Sequence, residues 1–181
     1  MEMLEIRNWI QFCFLLVGGI LGLVAFFQNM RQRKIENALK MIKWFYDSIS
    51  PEDITNWKNL FHSASEPSGA KRGFYVTEGL EQSSLSDYFS EGSPDNGALG
   101  GMSDCLEVIC HEILVGSIDA KFVWFELGQF LKTIHLWIGS IEGRTKNGSL
   151  LDESFPSLNK VFRKYNNLFE KWPCRTHAYV E

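Results

Sequence analysis

Cysteine is scarce in this 181-residue chain, with four in all, and Cys13 lies inside an apolar run. The other three, Cys105, Cys110 and Cys174, are an odd number without paired spacing, which fits a reducing compartment better than a disulfide framework. Cys-x-x-Cys and His-Glu-x-x-His are absent, as are a Walker loop and a Gly-x-Ser-x-Gly elbow, so no catalytic or cofactor-binding motif is present. A basic excess is missing too: the net charge is −4, which argues against general nucleic-acid binding because neutralising phosphates demands a basic surface.

The apolar residues are unevenly spread. From Ile10 to Phe27 the chain reads IQFCFLLVGGILGLVAFF, with Gln11 the single strongly polar side chain, while the remainder has the charge content of a water-facing protein. At 1.5 Å per residue this run approaches the roughly 30 Å hydrocarbon core of a bilayer, and Trp9 suits its interface. A signal peptide has a basic start and a small-residue cleavage site after its apolar core. Here the order is reversed: the start carries Glu2 and Glu5 before a lone Arg7, and Arg31, Arg33 and Lys34 follow the run as a strong stop. A buried core helix fits poorly, because the run is apolar on every face. The expectation is one transmembrane helix over about 9–27 within an anchor of 1–30. Arg31, Arg33 and Lys34 would form a basic flank on the membrane surface and leave the N-terminus outside and the bulk in the cytoplasm of an inner membrane.

Beyond the stop, neither proline nor glycine interrupts residues 31–47, and Ile35, Leu39, Ile42 and Phe45 or Tyr46 recur at the spacing of one helical face. The span should continue as a rigid stalk. Ser50-Pro51-Glu52-Asp53 supplies an N-cap, a first-turn proline and two acids for a second helix to about residue 62. Residues 63–92 lose periodicity and read as a connection with a short strand at 74–76. Ser93-Pro94-Asp95 opens the next helix, carrying Leu99, Met102, Leu106, Ile109, Cys110 and Ile113, and Gly116 stops it. Asp119 caps a strongly apolar helix with Val123, Leu127, Phe130, Leu131, Ile134, Ile138 and Ile141 in one stripe, widened by Phe122, Trp124, Phe125 and Trp137. A helix this apolar must be surrounded. Residues 143–153 are polar and turn-rich. Phe155, Leu158, Phe162, Tyr165, Phe169 and Trp172 then trace a last face that ends at Pro173. The fold class expected is all-α: stalk and second helix over 31–62, a connection over 63–92, core helices of a cytoplasmic bundle over 93–173 and a tail over 174–181.

Several residues invite a chemical reading. Gly18 and Gly22 make a GxxxG pair beside Gly19, and small residues there let two membrane helices approach closely, so self-association is expected. Glu107 and His111, four apart, share a helix face and resemble a proton-transfer or metal pair. Di-metal bundle sites instead use paired Glu-x-x-His motifs, which are missing, so the expectation is a solvated face with an ion-paired histidine. Cys105 and Cys110, five apart, lie on different faces and read as packing residues. The loop from Glu91 to Gly97 delivers backbone N–H groups to a helix start, where an anion can bind, although Glu91 and Asp95 oppose it. Lys71, Arg72, Glu91, Asp95 and Asn96 are therefore the residues expected to meet a protein partner or a small nucleotide-like signal. No catalytic residue, metal or cofactor is expected.

The order of span, basic stop, RKIENALKMIKWFYD, LEVICHEILVGSIDAKFVWFELGQFLKTIHLWI and a final FRKYNNLFEKW helix resembles a group of bacterial single-span membrane proteins of unknown function. That resemblance covers most of the chain outside residues 63–90; it implies a helical cytoplasmic module on a membrane stalk and gives no catalytic residue to carry over. In layout alone the chain is also similar to membrane effectors of bacterial antiviral systems. The function expected is a non-enzymatic membrane sensor or effector that self-associates. The alternative is a passive tethered adaptor for a cytoplasmic protein.

Overall fold

The computed structural model describes residues 3–54, 74–75, 83–84, 92–93, 97–140 and 149–175. Among these residues the regular structure is helical, apart from one pair of two-residue strands. Helix α1 runs unbroken over Met3–Ser48, and 46 residues at 1.5 Å each make a rod of about 70 Å. Strands β1 (Phe74–Tyr75) and β2 (Ser83–Ser84) pair antiparallel, Phe74 opposite Ser84. Then come α2 (Ala98–Val115), α3 (Ala120–Ser140), the short α4 (Leu150–Ser154) and α5 (Pro156–Phe169).

The helix ends follow from their residues. Ser50 and Asp53 form a reciprocal capping box: the Asp53 N–H donates to Ser50 Oγ at 3.0 Å and the Ser50 N–H to Asp53 Oδ2 at 2.8 Å. Helical backbone follows over 51–54, and the expected extent to residue 62 lies outside the described residues. Gly116 adopts φ 80°, its N–H reaching the Ile113 carbonyl while the Ser117 N–H reaches Glu112, a Schellman stop that a residue with a Cβ would strain. Asp119 caps α3 by accepting the Phe122 N–H at 2.8 Å.

Three boundaries differ from expectation. Helix α2 starts at Ala98, not at Pro94, because Gly97 takes a left-handed φ of 82° that a helix passing through it could not contain. In the stretch read as turn, Leu150–Ser154 is helical, capped by Ser149 Oγ accepting the Asp152 N–H at 3.2 Å, so the chain can bury Leu151. The last helix ends at Phe169, four residues before Pro173.

Helix α3 touches α1, α2, α4 and α5, so the most apolar segment is the one surrounded. Val123, Trp124, Leu127, Phe130, Leu131, Ile134 and Ile138 are buried along it; Ile141 lies outside the described residues. Trp124 stacks on Phe169 at 3.7 Å, and its indole N–H points to the Trp172 carbonyl. Gly128 makes this stack possible: a Cβ there would meet Cys174 Sγ and the Trp124 ring, both at 2.9 Å.

The second half of α1 is no free stalk. Ala38, Ile42 and Phe45 are buried in the same core, with Phe45 edge-on to Phe130 at 5.6 Å. Leu39, expected on that face, is exposed, since about 100° per residue carries it a quarter-turn off the buried stripe. Ala38 takes its place because its small side chain lets α1 lie close to the core.

Candidate functional site: the long helix and its junction with the core

One helix of the described chain is long and apolar enough to cross a membrane. All thirteen large apolar side chains from Trp9 to Phe27 are exposed, at 47–76%. Burying a side chain of this kind is worth about 1.5–3 kcal/mol, so leaving this set in water forgoes on the order of 20 kcal/mol. An ordinary domain is stable by only about 5–15 kcal/mol. This surface therefore calls for an apolar cover that the described residues do not provide.

Within it, Gly18, Gly19 and Gly22 have no neighbour within 4 Å of a built Cβ. Counting about 100° per residue, Gly18 and Gly22 lie roughly opposite the face that carries Ala38, Ile42 and Phe45. A second helix meeting the glycines would thus approach from the side that the core leaves clear. Arg31 and Arg33 are exposed, and Lys34 is half-buried.

At Lys34 the rod meets the folded part. The Lys34 carbonyl accepts the Asp119 N–H at 3.2 Å, and Asn37 Nδ2 donates to the Ser117 carbonyl at 3.2 Å. These bonds pin the α2–α3 turn to the middle of α1. From there α3 runs parallel to α1, since Asp119 lies beside Lys34 and Phe130 beside Phe45. Helix α5 is antiparallel to α3: Phe162 stacks on His135, whereas Phe169 stacks on Trp124. The Arg175 N–H then reaches the Phe125 carbonyl at 2.7 Å, so the chain returns toward the junction.

The chemical candidates resolve differently. Glu107 does not sit on a solvated face: Oε1 accepts the Ser157 N–H at 2.7 Å and Oε2 the Leu158 N–H at 2.8 Å. It is the anionic cap of α5, supplied from another helix because Phe155 at that helix start has no side-chain acceptor. His111 is exposed and shares no ligand set, and no group able to hold a metal occurs among the described residues. Cys110 is buried and Cys105 half-buried, and burial pushes both thiols up, as expected of packing residues rather than nucleophiles. Lys71, Arg72, Glu91, Asp95 and Asn96 lie outside the described residues.

Sequence reasoning missed one polar seam. His135 stacks on Phe162 at 3.9 Å and bonds to Asn159, whose Nδ2 donates to Asp152 Oδ1 at 2.6 Å. Arg163 Nη2 meets the same oxygen at 3.2 Å. Burial lowers the His135 pKa against the opposing bond to Asn159. The seam ties α3, α4 and α5 together, and no motif spacing announces it. No family model, curated protein or solved structure matches the chain.

Proposed function

We propose that this protein is a membrane-anchored, non-enzymatic sensor or effector that self-associates through α1 and couples a signal received by its cytoplasmic helical domain to its membrane helix. The observation that carries this reading is the division of a single helix: its first half is apolar and uncovered, and its second half is a wall of the core. A change in packing around Ala38, Ile42 and Phe45 would pass along the rod without a flexible joint. Such coupling needs two arrangements that a ligand binds unequally. The exposed glycine face supports association between copies, and the arginines after the run support an orientation with the folded domain in the cytoplasm. By its layout, the protein would serve as an effector in bacterial antiviral defence.

Fractionation tests the anchor. Full-length protein should stay with membranes through an alkaline carbonate wash and leave them only in detergent; recovery from the soluble fraction would overturn the proposal. A three-glycine insertion after Asn29 tests the coupling. It should preserve membrane residence and the folded core yet abolish any effect of expression on membrane potential. The passive adaptor is the second reading, favoured by the hydrogen bonds that clamp the turn to Lys34 and Asn37. It predicts that the insertion leaves activity intact.

A further inference from the structure

The junction at Lys34 lies close to where the apolar run ends. Lys34 follows Phe27 by seven positions, a rise of about 10 Å. A bilayer's headgroup layer adds about 5–8 Å on each side of its hydrocarbon core, and spans tilt by about 20° on average. Because α3 runs away from the span and α2 runs toward it, the end of the domain that faces the anchor is the α2–α3 turn, Gly116 to Asp119, with the residues beside it.

That end carries a surface suited to headgroups. Val115, the last residue of α2, is 66% exposed, the highest value of any large apolar side chain beyond Phe27 among the described residues. Lys121 is exposed in the first turn of α3, and helical side chains lean toward the helix N-terminus, which here means toward the span. Arg31, Arg33 and Lys34 surround the same level of α1. Among the described residues, the carboxylates there are Glu36, Glu112 and Asp119. Each is engaged locally: Glu36 accepts from Gln32, Glu112 from the Ser117 hydroxyl and Asp119 from the Phe122 N–H.

We propose that the α2–α3 turn rests on the bilayer, with Val115 entering the headgroup layer and Lys121 joining Arg31, Arg33 and Lys34 against anionic lipid phosphates. The domain then sits flush on the membrane rather than standing off it on a stalk. This rests on the anchor reading above and adds a second, non-covalent contact with the same bilayer.

Photo-crosslinking of full-length protein in vesicles of phosphatidylcholine and phosphatidylglycerol tests it. Benzoylphenylalanine is placed singly at Val115, at Leu16 in the apolar run, and at Leu136. Leu136 is also exposed but stands about 25 Å farther along the axis from the span. Lipid adducts are expected at positions 16 and 115 and not at 136. Adducts at 16 without adducts at 115, or equal yields at 115 and 136, overturn the proposal while leaving the anchor in place. No adduct at 16 removes the anchor reading, and this proposal with it. In phosphatidylglycerol-containing vesicles, Lys121→Ala should lower the docked-to-undocked ratio about fivefold, since a basic residue at an anionic surface contributes about 1 kcal/mol, and so reduce the yield at 115, which follows the docked fraction. An unchanged yield overturns the electrostatic part.

Discussion

Glu107 allows the cap to be separated cleanly from a surface position. In Glu107→Ala, the backbone N–H groups of Ser157 and Leu158 lose acceptors at 2.7 and 2.8 Å in a part-buried setting. An unsatisfied buried donor costs about 1–3 kcal/mol, although water entering at the helix end recovers some of that. Loss of an N-cap costs about 0.5–2 kcal/mol, and loss of the carboxylate's interaction with the helix dipole about 0.3–1 kcal/mol. Taken as overlapping descriptions of one interaction, these give a destabilisation of about 2–3 kcal/mol. Glu107→Gln keeps one acceptor oxygen and should lose about half as much. Urea unfolding of the full-length protein in a mild detergent, followed by near-ultraviolet circular dichroism, reads the folded core without the signal of the long helix. A loss within about 0.5 kcal/mol for Glu107→Ala, the usual range for surface substitutions, would refute the capping role.

Gly128→Ala should destabilise the core by about 1–3 kcal/mol, because the new methyl has to displace Cys174 and the Trp124 ring; adding Cys174→Ala should recover part of the loss in the same unfolding assay. His135 makes stability fall in acid. Its folded pKa is lowered by burial, so between the ordinary value of 6.5 and that lower value the unfolded chain binds more protons. The contribution is complete above about 6.5 and is lost as the pH falls through the folded value. Comparing unfolding at pH 7 and pH 5 should show a smaller acid loss in His135→Gln than in the parent protein. Finally, Gly18→Leu combined with Gly22→Leu should weaken self-association in detergent, measured by chemical crosslinking, and unchanged association would remove the glycines from the contact.

How much of this was legible depended on whether the responsible forces are local. Helix stops written into adjacent residues, such as Gly116 with its left-handed φ or Asp119 with its N–H acceptor, could be read directly, as could the stripe of α3. The run from Trp9 to Phe27 was equally plain, since length and composition alone define it. The start of α2 was missed because Ser93-Pro94-Asp95 satisfies every local rule for a helix start, whereas the outcome turned on Gly97. The role of Glu107 was hidden because its partners are 50 and 51 residues away. Leu39 and Ala38 exchanged places for a similar reason: periodicity fixes a face only to within about a quarter-turn, and the depth of contact with α3 decided the rest.

Sharing one helix between the apolar run and the core also orders events during synthesis. The face of Ala38, Ile42 and Phe45 leaves the ribosome long before Phe130 exists. At about 5–20 residues per second, those roughly 85 intervening residues take several seconds to make. Until then the apolar face lacks the α3 residues that complete its packing in the folded domain, so the newborn chain carries it only partly covered.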